Sequence, residues 1–354
     1  MSPIVFAIPV FLLAMALELW LARRRGLQVY RTADAVTSLH LGIMSQFVGA
    51  MTRVMALGIY AVMVDKVGAF TWDEKNPVTW IFALLMYDFL YYWYHRAGHE
   101  VHLLWAAHVV HHSSEDYNLS TALRQTSSGF LFGWIFYLPM ALLGIPFKVF
   151  VIVGLIDLLY QFWVHTELVG RLGWMDRVFV TPSNHRVHHG QNDYCIDKNY
   201  GGILIVWDRL FGTFAPEREG EKILYGVRKP LLSWNPLWGN LMTYRDILKT
   251  AWVTKGWTNK GMAIFAGPGW QSNELPQHAD FQPERFQRFE VSAADQASRG
   301  LQAASLAGML AATAALLYFL IHLQGMTQTE RLAYVGVMMV VLALLGRLWK
   351  RAIP

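Results

Sequence analysis

The chain has 354 residues, 54% hydrophobic and 16% charged, with fifteen Trp and twenty Phe, a composition that excludes an ordinary soluble domain and predicts an integral membrane protein. Its net charge of +5 suits basic flanks on anionic lipid, and no clustered basic face points to nucleic acid. The single cysteine, Cys195, excludes an internal disulfide and any multi-cysteine zinc or iron–sulfur centre within the chain.

In chain order, residues 4–22 form an apolar run with one charge, Glu18, followed at once by Arg23, Arg24 and Arg25. The basic residues come after the run and no small-residue cleavage motif is present, so a retained helix is expected rather than a removed signal. The arginines are expected to hold its C-terminal end in the cytoplasm. Residues 36–64 would then return across the bilayer; their isolated His40 reads as interfacial or structural. After a polar link at 71–76, residues 78–94 form a third expected span ending on the cytoplasmic side. Asp88 lies within it, about two turns before His95, where it either partners a histidine or bonds a neighbouring helix.

The next stretch, YYWYHRAGHEVHLLWAAHVVHHSSEDYN at 91–118, holds six of the thirteen histidines. His95 and His99 stand four apart and share one helix face; His108, His111 and His112 repeat that spacing at i, i+3 and i+4. From 129 to 163 the chain is apolar again, but Pro139, Gly144 and Pro146 divide it into two halves too short for a full crossing. They predict a hairpin whose ends share one side of the bilayer. That hairpin would return His165 to the earlier histidines, with Asp157 about two turns before it. A second triplet, His185, His188 and His189, follows in HRVHH.

Residues 194–300 hold no apolar run long enough to span and read as a cytoplasmic cap, in which Trp207 to Phe214 and Gly267 to Trp270 are candidate cleft linings. Residues 301–323 and 332–348 form a final pair of spans, with Arg347, Lys350 and Arg351 again at the cytoplasmic end. The expected fold is therefore all-α, a transmembrane helical bundle with a cytoplasmic cap carrying a histidine-rich di-metal site. Its divisions are 1–76 (N-terminal membrane helices), 77–215 (catalytic core), 216–300 (cap) and 301–354 (C-terminal membrane hairpin).

A lone buried histidine is more often a hydrogen-bonded core residue than a ligand. Six neutral imidazoles in one short stretch cannot all find partners, and protonated they would repel one another; a metal cation resolves both problems. Nine imidazoles are too many for one ion and suit two. Ligand type leaves Fe, Cu, Ni and Zn open. A zinc hydrolase with Glu100 as general base competes physically, although the H-E-x-x-H spacing is not met because Leu103 stands four after His99. A metal-storing membrane protein is a third reading. No G-x-G-x-x-G or P-loop pattern is present.

YHRAGHE, WAAHVVHHSSEDYNLSTALRQ, HTE and TPSNHRVHHGQNDYCIDKNYGG closely resemble the fatty acid hydroxylase and sterol desaturase superfamily over about 85–215, and within it a branch that oxidises alkyl ethers of glycerol. The resemblance implies a membrane-bound non-haem di-iron oxygenase with a ligand set of His95, His99, His108, His111, His112, His165, His185, His188 and His189. Some relatives carry a further histidine four after the one matching His165; here that position is Val169, which implies an open or water-filled place on one metal. His102 lies outside the family boxes. Glu100 resembles an acidic residue of the ether-oxidising branch and is the expected catalytic base or ligand. The implied reaction is hydroxylation of a lipid C–H bond with dioxygen, with cleavage to aldehyde and alcohol if the carbon bears an ether oxygen. A desaturase or carotenoid hydroxylase is the nearest alternative. The chain lacks the H-P-G-G signature of a fused cytochrome b5-type haem domain, so the resemblance implies an external reductant, tetrahydrobiopterin or a separate electron carrier.

Overall fold

The computed structural model describes residues 3–276 and 297–349, which contain helices and no β-strand. Four helices are long and apolar enough to cross a membrane: α1 (Ile4–Arg24), α2 (Thr32–Val67), α14 (Arg299–His322) and α15 (Gln328–Arg347). The chain is an integral membrane protein. α3 (Pro77–Glu100) begins cleanly because Pro77 occupies its first turn and the Asn76 side chain accepts from Val78 N–H. The expected third span lies in α3 but is not one of those four helices. α3 is rich in Tyr and Trp rather than aliphatic residues, and it runs on past residue 94, through His95 and His99, to Glu100.

Short helices carry the next histidines: α4 (His102–Ala106), α5 (Val109–His112) and α6 (Leu119–Ala122), the last capped reciprocally by Asn118 and Thr121. The expected hairpin is α7 (Gly133–Leu142) and α8 (Phe147–Trp163). Its turn is fixed by Gly144 at φ +80°, where a side chain would also meet the Phe70 carbonyl oxygen at 2.0 Å. Trp72 Nε1 donates to the Leu143 carbonyl at 2.9 Å, fastening that turn to the 69–72 link. Beyond it come α9 (Met175–Val178), α10 (Pro182–His188), α11 (Val206–Leu210), α12 (Pro236–Val253) and α13 (Trp257–Phe265).

Two apolar cores form along α2. Its first half packs against α14 and α15 through Met44, Phe47, Phe319 and Leu342. Its second half packs against α3, α7 and α8 around Tyr60, Ala83, Met140 and Val149, with Tyr60 stacked on Phe150 at 3.8 Å. Phe47 and Phe319 are fully buried and pack on one another with ring centroids 5.2 Å apart, a contact that holds the bundle by close packing. Between these cores and the irregular segment 164–235 lies the histidine cluster.

Candidate metal centre

α3 presents His95 and His99 one turn apart; His108 precedes α5, and His111 and His112 end it. His165 follows α8 by two residues, while α10 carries His185 and His188 and is terminated by His189. These nine imidazoles converge into two groups in which one ligand atom from each member lies within 4.8 Å of all the others: His95, His99, His108, His112 and His188 in one, His111, His165, His185 and His189 in the other. The groups abut, with the rings of His112 and His189 stacked at 4.3 Å.

The two H-x-x-H-H motifs are crossed. His108 and His112, at i and i+4, serve the five-membered group, and His111 serves the other; His185 and His189 serve the four-membered group, and His188 the first. Helical geometry explains the division, because i and i+4 share a face that i+3 only approaches. The smaller group is the one containing His165.

Tautomers follow from the partners. Nδ1–H of His95 donates to the Tyr200 carbonyl at 2.8 Å, that of His111 to Arg124 at 3.1 Å, that of His165 to Gln161 at 2.7 Å and that of His188 to Lys198 at 3.0 Å. A carbonyl only accepts, so each of these rings spends its one proton there and leaves Nε2 as a bare lone pair. His111 Nε2 and His165 Nε2 lie 3.3 Å apart. Two lone pairs at that distance repel unless a cation bridges them. Nε2 of His99, His188 and His189 is buried with no hydrogen-bond partner. The donor set therefore fits a pair of nitrogen-ligated metal ions. Burial holds the imidazoles neutral: His111 is pushed down to about 4, and His108, His112, His165, His185, His188 and His189 well below 6.5.

A second layer holds these carbonyls in place. Asp88 accepts from Ile203 N–H (2.6 Å), Leu204 N–H (3.1 Å) and Trp207 Nε1–H (2.8 Å), fastening to α3 the loop whose Tyr200 orients His95. Asp157 accepts from Gln161 Nε2 at 2.6 Å, one helical turn before His165. Neither aspartate bonds a histidine directly: Asp88 holds the backbone three and four residues beyond Tyr200, and Asp157 holds the side chain of Gln161, whose carbonyl accepts from His165. Gly202 sits between them, and a Cβ there would meet Asp157 Oδ1 at 2.6 Å and Asp88 Oδ1 at 3.0 Å. Arg124, whose carbonyl orients His111, forms a buried ion pair with Asp34 of α2 at 3.2 Å. Arg186 binds Glu217 through Nε and Nη2 and donates to the Thr166 and Val169 carbonyls through Nη1, tying α10 to the segment after His165. Glu18 of α1 accepts from Tyr30, Thr166 and Leu119 N–H, so the lone charge of the first span binds both histidine-bearing loops.

Sequence reasoning missed Asp34, Arg124, Arg186 and Glu217; a charge two residues before the second apolar run, Asp34, was the one available signal. Glu100 takes a different place from the expected one. Its carboxylate is 42% exposed, pairs with Arg96 Nε at 2.9 Å and belongs to neither histidine group. It follows His99 directly, and adjacent helical residues point about 100° apart. His102 donates to the Ala263 carbonyl at 3.1 Å, and His40 is buried in α2; both lie outside the groups.

A cavity of about 690 Å³ opens onto His99, His112, His188 and His189. Trp105, Leu231 and Met242 contribute apolar wall, and Pro268, Gly269 and Trp270 of the anticipated Gly267 to Trp270 stretch join them. The other anticipated lining, Trp207 to Phe214, serves the loop instead: Trp207 binds Asp88, and Asp208 accepts from the N–H groups of Tyr200 and Gly201. Chemically, the arrangement is a pair of adjacent nitrogen-rich ion sites at the end of a largely apolar chamber.

Residues 80–213 match the sequence model of the fatty acid hydroxylase family. The chain is 45% identical to alkylglycerol monooxygenase of Homo sapiens over 267 residues, 75% of this chain and 59% of the relative. It is 48% identical to that of Danio rerio over 238 residues, 67% of this chain and 52% of the relative. Ornithine lipid hydroxylase of Rhizobium tropici is 32% identical over 153 residues, 40% of this chain and 44% of the relative. The chain thus spans a little over half the length of the alkylglycerol monooxygenases it matches. No solved structure matches. Residues 80–213, the stretch that matches the fatty acid hydroxylase family, contain all nine converging histidines.

Proposed function

We propose that the chain is a membrane-bound lipid monooxygenase holding one iron ion in each histidine group, with His95, His99, His108, His112 and His188 as ligands of the first and His111, His165, His185 and His189 of the second. The reaction balances as lipid C–H, O2, two electrons and two protons giving lipid C–OH and water. If the oxidised carbon bears an ether oxygen, as in the substrates named for the alkylglycerol monooxygenases, the hydroxylated carbon is a hemiacetal and separates into an aldehyde and an alcohol. The iron pair supplies dioxygen activation when bound.

The chain's own residues do the rest. The carbonyls of Tyr200, Arg124, Gln161 and Lys198 keep the proton of four imidazoles at Nδ1, so Nε2 faces the ion site. Trp105, Leu231 and Met242 present apolar surface to a lipid chain and displace water beside the ligands. Electrons come from an external reductant, tetrahydrobiopterin or a separate carrier. A cytoplasmic position for the site is supported by Arg25, in the basic triplet after the first span, which donates to the Leu168 carbonyl, three residues beyond His165.

The observation that carries this reading is the 3.3 Å approach of two imidazole Nε2 atoms, each bare because its ring's one N–H is at Nδ1 and donates to a carbonyl. Purified protein is expected to contain close to two irons per chain and to consume oxygen only when both a lipid ether and a reductant are present. Turnover without oxygen would replace the reading with a metal-dependent hydrolase, and an olefin product would replace it with a desaturase.

A further inference from the structure

α12 has two working faces. Met242, Thr243, Asp246 and Thr250 line the cavity beside the histidines. Leu237, Leu241, Leu248 and Trp252, spaced by four, seven and four residues, form a stripe on the opposite side of the same helix. That stripe faces outward: Leu241 is 50% exposed, Leu248 68% and Trp252 85%. α13 continues it, with Trp257 88% and Phe265 63% exposed. Apolar residues this large, grouped and uncovered mark a surface with a partner.

We propose that α12 and α13 lie in the headgroup region of an anionic bilayer, as an interfacial helix pair that separates the membrane from the cavity. Charge favours that occupant. Between residues 236 and 265 stand Arg245, Lys249, Lys255 and Lys260 against a single acid, Asp246, which Lys229 and Arg245 already neutralise. Tryptophans beside lysines on an amphipathic helix match the water–lipid boundary, where an indole ring has both an apolar and a polar side. Continuity favours it too. The start of α12 is packed on the end of the span α15: a Cβ at Gly346 would meet the Trp234 carbonyl at 2.5 Å and Asn235 Cα at 2.8 Å. Trp234 and Trp349 also pack at 6.0 Å. The stripe therefore begins where a membrane helix finishes. One helix thickness, about 10 Å, then separates bilayer lipid from the chamber that opens onto His112 and His188. This inference rests on the surface and the cavity and holds whatever reaction the histidine site performs.

The test uses the full chain reconstituted in phosphatidylcholine–phosphatidylglycerol vesicles, with and without acyl-brominated lipid, compared with a W252F/W257F variant. Both side chains are almost fully exposed, so the variant keeps the fold, and the difference between the two proteins isolates their emission among the fifteen tryptophans. The expected result is that this difference emission is quenched by brominated lipid and shielded from aqueous iodide. Quenching by iodide with no effect of bromination would overturn the proposal. So would shielding that appears only when a second copy of the chain is cross-linked nearby, which would make the face a protein interface.

Discussion

Replacing Asp88 with Asn exchanges one oxygen for an NH2 group at the point where α3 grips the loop that orients His95. The side chain is 1% exposed and accepts three N–H groups, one at Oδ1 and two at Oδ2. The amide's single oxygen does best in the Oδ2 position, keeping Leu204 and Trp207, so its NH2 faces the N–H of Ile203. One charge-assisted hydrogen bond is lost and a buried donor is left unpaired, a cost of about 2–4 kcal/mol. The loop relaxes to relieve it, and the Tyr200 carbonyl, three residues earlier, no longer fixes the His95 ring. Loss of such an outer partner lowers metal affinity roughly 10–100-fold. The four-histidine group keeps its supports at Arg124 and Gln161. D88N protein titrated with a graded chelator is therefore expected to release one ion at a roughly ten-fold lower chelator concentration than wild type, while the second follows the wild-type curve; its metal-free form melts at a lower temperature. Release of both ions along the wild-type curve, with unchanged melting, would refute the coupling of Asp88 to His95.

Arg124→Ala removes the buried ion pair with Asp34 and is expected to cost about 3–5 kcal/mol of stability; a detergent-solubilised melt within a degree of wild type would contradict this. Glu100→Gln is expected to leave metal content unchanged and to cost at most about 1 kcal/mol, because a half-exposed ion pair contributes little; loss of iron in this variant would return Glu100 to the site. The metal-free protein should lose stability on acidification. The folded value for His111 is near 4 against an ordinary 6.5, and its buried neighbours are depressed as well, so below pH 6.5 the unfolded chain binds more protons than the folded one. Stability is complete above about 6.5 and falls as pH drops toward 4; a flat melting temperature between pH 7 and 5 would oppose the assignment of neutral, buried imidazoles.

The histidine pattern and the α7–α8 hairpin were legible in the sequence because both are local signals: spacings of three and four residues, and Pro139, Gly144 and Pro146 interrupting an apolar run. Their convergence could be anticipated once the hairpin was seen. The crossed division into five and four could not, because it depends on how α5 and α10 are rotated against one another. Asp88 stood out as a charge within an apolar helix, but its partners lie more than a hundred residues away at Ile203 and Leu204. Glu100 attracted attention through adjacency to His99, which on a helix is a reason to face elsewhere. The outward stripe of α12 was hidden for the opposite reason: a helix with one polar-lined cavity face and one apolar outer face has too little average hydropathy to register as a membrane element.

The crossed wiring of the two H-x-x-H-H motifs bears on how the protein is made. Each histidine group draws on segments from both sides of the α7–α8 hairpin, so a nascent chain that has emerged only as far as His112 holds four members of the first group and one of the second. The four-membered group can assemble only after the hairpin has folded back and α10 has docked, because His165, His185 and His189 all follow α8. The two sites are thus completed in order during biogenesis: one lacks a single late histidine, and the other waits for the whole second half of the motif set.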